Sequence, residues 1–315
     1  MKFFTLLIVW GSFSWSYCFA QQSAKQLNLT SEYLIYLPEG YAEEEAKNWP
    51  LLIFLHGVGE RGNDVEKVKV HGPPKLAEMK EFPFILVSPQ CPPNEWWNPY
   101  VLNKLYDEVV GTYKVDKSRV YLTGLSMGGF GTWQWAAENP EKFAAIAPIC
   151  GGGNPNSVWK LRHIPTRVFH GDSDNVVPLK MSEVMVDALS EFNSDVEFTV
   201  YPDVGHDSWT ETYDKDELYE WFLSQSKTDL PIAPFDEDEV RSYIGQYQHS
   251  EIGKMSLELE EGVLFLKINR QRRELTPEGN NRYRTWLMSQ ALISFSEDGM
   301  TIHMDDRVEL VPRVE

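Results

Sequence analysis

The chain has 315 residues, with 47 acidic against 29 basic side chains and a formal net charge of −18. Such acidity disfavours nucleic acid and anionic membrane surfaces as partners, and the length provides for one large domain plus a small one. None of the three cysteines stands in a Cys/His cluster with zinc-binding spacing, so neither a metal site nor a cofactor is expected.

Residues 1–20 read as a secretory signal: Lys2, an apolar core from Phe3 to Trp10, and a small-residue cleavage site at Cys18-Phe19-Ala20. The apolar run is too short to span a bilayer and is broken by Gly11, Ser12, Ser14 and Ser16. An exported chain, periplasmic or extracellular, starting near Gln21 and without stable membrane insertion, is the expectation. Apolar runs then recur at 33–37, 51–55, 84–88, 120–123, 144–149, 167–170 and 196–201. Several are unbroken rather than alternating, as strands buried on both faces should be. Amphipathic stretches at 103–113, 130–138, 179–191 and 214–225 fit between them as helices. This alternation predicts an α/β domain with a mainly parallel sheet over residues 27–226. Cys91 and Cys150 each follow an apolar strand and read as buried, unpaired thiols, with a disulfide between them the alternative in an exported protein.

Residues 227–235, with Pro231 and Pro234, read as a linker. Beyond it the pattern shortens. Segments at 255–259, 263–269, 292–295 and 300–304 alternate or are β-rich, and Glu261-Gly262, Glu278-Gly279-Asn280 and Asp298-Gly299 punctuate them as turns. A small all-β domain is expected over 236–315. Its Arg270, Arg272, Arg273, Arg282 and Arg284 concentrate positive charge and read as a solvated strand face; self-association through this domain is open.

The pentapeptide Gly124-Leu125-Ser126-Met127-Gly128, directly after Val120-Tyr121-Leu122, predicts a serine on a strained turn between strand and helix. A serine hydroxyl needs a base, and the base needs an orienting acid. Downstream, the run ending at His170 leads into Gly171-Asp172-Ser173-Asp174-Asn175-Val176-Val177-Pro178. Asp174, spaced His-Gly-x-x-Asp and followed by Val-Pro, is the expected acid, and Asp172 the competing candidate, which would otherwise form a turn. Of the seven histidines only His206, in Gly205-His206-Asp207 after the strand at 196–201, satisfies order and position. The oxyanion requires two backbone donors, assigned to the amides of Met127 and Val58, the latter in the loop His56-Gly57-Val58-Gly59-Glu60-Arg61-Gly62. Glu60 and Arg61 read as an ion pair bracing that loop.

His-Gly-x-Gly-x-Arg-Gly, Pro-Gln-Cys-Pro, Gly-Leu-Ser-Met-Gly-Gly, His-Gly-Asp-x-Asp and Gly-His-Asp-x-Trp, in that order, resemble secreted bacterial α/β-hydrolase esterases of the predicted-peptidase or phospholipase/carboxylesterase-like kind. These are similar to feruloyl and acetyl-xylan esterases and to dienelactone hydrolase. The resemblance spans about 33–225 and implies an α/β-hydrolase fold with serine-esterase activity. The segment from Tyr243 is weakly similar to small lipocalin-like β-domains appended to bacterial serine hydrolases. Gln90, Trp96 and Trp97 follow the strand at 84–88, and Trp209 lies beside His206; all are candidate substrate contacts for a sugar or phenolic acyl group. Only 17 residues separate 149 from 167, too few for a helical lid. An exported serine carboxylic-ester hydrolase acting on small-molecule or oligosaccharide esters is therefore the reading. The alternatives are a prolyl-oligopeptidase-type peptidase, which lacks its screening propeller here, and a non-catalytic carbohydrate-binding protein.

Overall fold

The computed structural model describes residues 22–27, 31–193, 195–230, 232–234 and 237–314. The proposed signal segment lies outside the described residues, as do positions 231, 235 and 236 around the linker.

Eight strands build the first sheet: β1 (Gln22–Leu27), β2 (Ser31–Tyr36), β3 (Trp49–Leu55), β4 (Ile85–Pro89), β5 (Val115–Leu125), β6 (Ala145–Ile149), β7 (Thr166–Gly171) and β8 (Val196–Tyr201). Their spatial order is β1-β2-β4-β3-β5-β6-β7-β8. β1 and β2 run antiparallel to their neighbours; from β4 onward every pairing is parallel. Every residue of β3 and of β4 is buried, which is why those segments read as unbroken apolar runs.

The helices are α1 (Gly72–Leu76), α2 (Pro99–Thr112), α3 (Met127–Glu138), α4 (Lys180–Ser190), α5 (Trp209–Asp214), α6 (Asp216–Ser224) and α7 (Glu237–Arg241). The first six cover both faces of the sheet, while Val240 of α7 joins a separate core with residues beyond 240. Leu51, Ile53 and Leu55 point into a core shared with Leu102, Trp133, Met185 and Leu189 of α2, α3 and α4. Leu52 and Phe54 point the other way, toward Leu76, Tyr213, Leu218 and Phe222 of α1, α5 and α6. The two-residue period of a strand divides one sequence run between two cores. α2 starts where Asn98 Oδ1 accepts from the Tyr100 amide (2.9 Å) and Pro99 takes the first helical position, a position where a missing N–H costs nothing.

The second sheet is a separate all-antiparallel domain: β9 (Gly245–His249), β10 (Gly253–Glu260), β11 (Val263–Ile268), β12 (Gln271–Gly279), β13 (Arg282–Trp286), β14 (Gln290–Ser296), β15 (Gly299–Met304) and β16 (Arg307–Pro312). Neighbours in sequence are neighbours in space. A bridge between Tyr247 and Arg313 and a hydrogen bond from the Val314 amide to the Gln246 carbonyl (2.8 Å) join the last segment back to the first. The interior is filled by Tyr247, Leu257, Leu266, Tyr283, Ile293 and Val311, among others. Glu261 and Gly262 turn with φ of 53° and 76°, both in the left-handed region that a two-residue hairpin of this hand needs.

A buried ion pair joins the two sheets' domains. Arg162, before β7, grips Glu278 of β12 through Nε (2.6 Å) and Nη2 (2.9 Å), and both side chains are under 5% exposed. His163 (3.1 Å) and Arg284 (3.1 Å) complete the set around the same carboxylate. Burial alone would raise the Glu278 carboxyl, but the hydrogen bonds from Arg162 and His163 and the Arg162 charge outweigh it and hold the group far below the usual carboxylate range. Arg282 donates to the Glu191 carbonyl and lies over the Phe192 ring at 4.8 Å. The expected solvated arginine face is thus divided. Arg282 and Arg284 serve the interface, because that is where desolvated acceptors are, while Arg272 pairs with Glu260 and Arg273 bonds Gln271. Replacing Glu278 with Gln leaves the Arg162 charge buried without its counter-ion, so denaturant unfolding should show a loss of about 3–5 kcal/mol. A loss below about 1 kcal/mol would mean that the pair is effectively solvated.

Candidate active site

β5 ends at Leu125 and α3 begins at Met127, leaving Ser126 alone in the turn with φ 53° and ψ −117°. That conformation is costly for a residue with a Cβ, roughly 1–3 kcal/mol. Two backbone bonds fix it: the Ser126 amide donates to the Ile149 carbonyl (2.9 Å), and the Ser126 carbonyl accepts from Phe130 (3.1 Å). The flanking glycines are required by close approach. A Cβ on Gly128 would sit 1.9 Å from the Leu55 carbonyl oxygen, and one on Gly124 would sit 2.4 Å from the Gly128 oxygen. Gly171 does the same on the acid side, where a Cβ would lie 2.2 Å from the Val204 oxygen. This lets the loop after β7 meet the loop carrying His206.

Ser126, His206 and Asp174 come together. Ser126 Oγ lies 3.0 Å from His206 Nε2, and His206 Nδ1 lies 2.7 Å from Asp174 Oδ2. A carboxylate only accepts, so Nδ1 carries the hydrogen and Nε2 is left to accept from the serine hydroxyl. Asp174 Oδ1 accepts from the Val176 (2.8 Å) and Val177 (2.9 Å) amides. Burial works to raise this carboxyl; the hydrogen bonds from His206, Val177 and Val176 together outweigh it and hold it below its ordinary value. Asp172 takes the turn role instead, its Oδ1 accepting from Ser173 Oγ (2.9 Å) and the Asp203 amide (2.8 Å).

Sequence reasoning passed over His170. This fully buried residue places Nε2 3.2 Å from Asp174 Oδ2 and 2.9 Å from the Val177 carbonyl, so Nε2 donates toward both. Its Nδ1 lies 2.7 Å from Ser182 Oγ on α4. Asp174 Oδ2 is therefore shared by two imidazoles, and its orientation is tied to α4. The spacing His170-x-x-x-Asp174 held the signal, but an i, i+4 relation means contact only once the chain is known to turn there.

The loop after β3 lies against the serine: a Cβ on Gly57 would approach Ser126 Cβ to 3.6 Å. Val58 opens a short 3-10 turn, Val58–Glu60, and Met127 is the first residue of α3. Both amides belong to first turns, whose N–H groups lack partners within the helix. Glu60 and Arg61 brace this loop, but not as a pair. Glu60 Oε2 accepts from the Gly57 amide (3.0 Å), while Arg61 donates to the carbonyls of Val58 (3.2 Å) and Glu95 (3.0 Å). The Glu60 carboxylate faces inward, so the arginine satisfies carbonyls nearer the surface.

Two of the four candidate substrate contacts are structural instead. Gln90 is buried, with Nε2 donating to the Glu60 (2.7 Å) and Asp64 (2.8 Å) carbonyls. Trp97 is buried, with Nε1 donating to the His56 carbonyl (3.1 Å) and its ring edge-on to His56 at 4.8 Å. Each spends its polar group on holding the loop after β3. Trp96 stays 63% exposed, and half-buried Trp209 stands edge-on to the His206 ring at 5.1 Å.

Cys91 and Cys150 are buried free thiols, pushed up to about 11 and about 12 chiefly by burial. Cys150 offers its sulfur within 4.8 Å of ligand atoms of Asp174 and His206. A cation there would have to deprotonate a thiol held neutral and break the His206–Asp174 bond. Among the described residues no helix is long and apolar enough to cross a membrane.

The sheet order, the strained serine after β5 and the acid and histidine loops after β7 and β8 define an α/β-hydrolase fold. A family model described as Phospholipase/Carboxylesterase matches residues 101–216, the span that holds Ser126, Asp174 and His206. The chain is 36% identical over 100 residues to an Escherichia coli strain K12 protein assigned by name as a carboxymethylenebutenolidase, covering 29% of this chain and 37% of that one. It is 30% identical over 144 residues to a bifunctional acetylxylan esterase/xylanase of Neocallimastix patriciarum, covering 44% of this chain and 21% of that protein. The chain thus spans well under half the length of these curated relatives. A thermostable esterase of known structure aligns with a TM-score of 0.58 at 33% identity, covering 66% of this chain and 64% of its own.

Burial lowers the His56 imidazole to about 4, and that ring donates from Nδ1 to the Gly57 carbonyl (2.6 Å) and accepts at Nε2 from the Cys91 amide (2.9 Å). His303 is lowered to about 4 as well, by burial and then by Arg282. The unfolded chain takes up these protons near the ordinary value of 6.5 and the folded chain does not. Urea-unfolding free energy should therefore decline as pH falls from about 6.5 toward 4. Replacing His303 with Phe should flatten the decline; an unchanged slope would contradict the assignment for that residue.

Proposed function

We propose that the protein is a serine carboxylic-ester hydrolase with Ser126 as nucleophile, His206 as general base and acid, and Asp174 as the group that orients it. The observation that carries this is the continuous chain Ser126 Oγ to His206 Nε2 (3.0 Å) and His206 Nδ1 to Asp174 Oδ2 (2.7 Å), starting on a strained strand-to-helix turn. Ser126 Oγ attacks the ester carbonyl while its proton passes to His206 Nε2. The oxyanion so formed is held by the Met127 and Val58 amides. Collapse expels the alcohol, which takes the proton from His206 and leaves an acyl-Ser126. Water, activated by the same imidazole, then releases the acid.

The substrate class follows from relatives whose names include acetylxylan esterase and feruloyl esterase: a carbohydrate-linked or aryl ester. Trp96 and Trp209 are the aromatic surfaces available to it. Export to the periplasm or exterior, through the leader at 1–20, suits a polymeric substrate and belongs to the same reading. So does the likeness of the second domain to lipocalin-like modules.

Ser126→Ala should abolish hydrolysis of p-nitrophenyl acetate. Asp174→Asn should lower kcat by several orders of magnitude because the imidazole loses both orientation and counter-charge, by the logic that costs about 10⁴ in serine-protease triads. Asp172→Asn should cost far less. Steady-state kinetics on the purified variants checks all three, and the reverse ranking of the two aspartates would displace Asp174 from its role.

A further inference from the structure

A groove of about 480 Å³ runs beside the outer face of α3, within the size range of small-molecule sites. One wall is formed by Phe130, Trp133, Gln134 and Glu138, spaced as one face of a helix. The other side includes Asn154 and the turn between β15 and β16, Asp305 and Asp306. We propose that this groove, completed by the second domain, binds the neutral glycan portion of an ester substrate. The proposal rests on the esterase reading for the idea of an attached ester, not for the binding itself.

One end of the groove is linked to Ser126 through the start of α3. Phe130 is one helical turn from Ser126 and bonds its carbonyl. Trp96, also on the groove, stands edge-on to Phe130 at 6.2 Å, and its neighbour Trp97 is bonded to the loop after β3. From Phe130 to Glu138 the helix advances roughly 12 Å, the reach of a short oligosaccharide rather than a single sugar.

The outer end is fixed in place. Trp159 Nε1 donates to the Asp305 carbonyl (3.3 Å), and Lys160 lies 3.9 Å from the Asp305 carboxylate. The His303 ring meets Phe192 at 5.1 Å, and the Arg162–Glu278 pair holds the domain behind it. Asp305 is thus held at the groove by several contacts, with Asp306 beside it.

The lining selects the ligand. Trp96 offers an exposed aromatic face to the C–H face of a sugar. Carboxylates accept from hydroxyls; the exposed Gln134 positions the Glu138 carboxylate by donating to its Oε1 (3.0 Å), and the exposed Asn154 accepts at Oδ1 from the Asn156 amide (3.0 Å). Trp133 is buried on the groove, and its Nε1 has no partner among the described residues, a donor whose burial without an acceptor is costly. Glu138, Asp305 and Asp306 set the local charge against Lys160, the groove cation nearest them, so an anionic chain meets net repulsion.

The test is calorimetric binding of xylohexaose, and of an oligogalacturonate of equal length, to the full chain. Asp305→Asn combined with Asp306→Ala and, separately, Trp96→Ala are compared with wild type; Asn tolerates the φ of 54° at position 305. Wild type should bind xylohexaose and exclude the oligogalacturonate; each variant should weaken xylohexaose binding at least tenfold with unchanged melting temperature, and the aspartate variant should keep kcat/KM on p-nitrophenyl acetate unchanged. Absent xylohexaose binding, preference for the anionic chain, or equal binding by wild type and the aspartate variant would overturn the proposal. None of those results bears on Ser126 as nucleophile, and an active Ser126→Ala would remove the esterase reading without changing the binding result.

Discussion

A Cβ on Gly128 would come within 1.9 Å of the Leu55 carbonyl oxygen, so α3 and β3 meet backbone to backbone. The arrangement of the site follows from that contact. It lets α3 start immediately after β5, which forces Ser126 into its positive-φ conformation and lifts its hydroxyl clear of the sheet edge. It also brings the loop after β3 against the same residue, as the proposed pairing of the Met127 and Val58 amides requires. The strain at Ser126 is offset by bonds on both sides of the residue and by the buried aromatic mass of α3, including Trp133 and Trp135. A parallel sheet covered on both faces is the scaffold stiff enough to hold such a turn.

Much of this was legible in the chain. The unbroken run at 51–55 and the glycines at 124 and 128 carry direct physical consequences, and β3, β5 and α3 stand where those residues place them. Asp174 could be separated from Asp172 by spacing, and their hydrogen bonds diverge as that spacing implies. Strands β12 and β13 were harder to read. Their charged residues break the alternation because Glu278 takes Arg162 of the first domain and the neighbouring Arg284 as partners instead of facing water. β1 and β9 are short polar strands without a periodic apolar signal. The roles of Gln90 and Trp97 were misjudged for a related reason. A polar or aromatic residue after a strand reads as a site residue, and nothing in one dimension reveals that its polar group is spent on a backbone carbonyl. His170 is the converse, a residue dismissed by its order in the chain whose ring reaches the same oxygen as His206.

The two domains are joined by desolvated charge and not by chain continuity alone. Arg162 and Glu278 are each nearly inaccessible, so separating the domains would expose a charge set that water must re-solvate, while removing one partner strands the other. Such a joint favours one docking geometry. That geometry is what gives the turn at Asp305 a constant position beside α3. The first domain holds every group of the proposed chemistry, and the second shapes what lies next to it.

The most direct measurement of the central claim is covalent labelling of the full chain with a fluorophosphonate, followed by mass-spectrometric mapping of the adduct. The account predicts a single stoichiometric adduct on Ser126, formed slowly or not at all when His206 is replaced by Ala. An adduct on another residue, or no adduct from a preparation that hydrolyses p-nitrophenyl acetate, would contradict it.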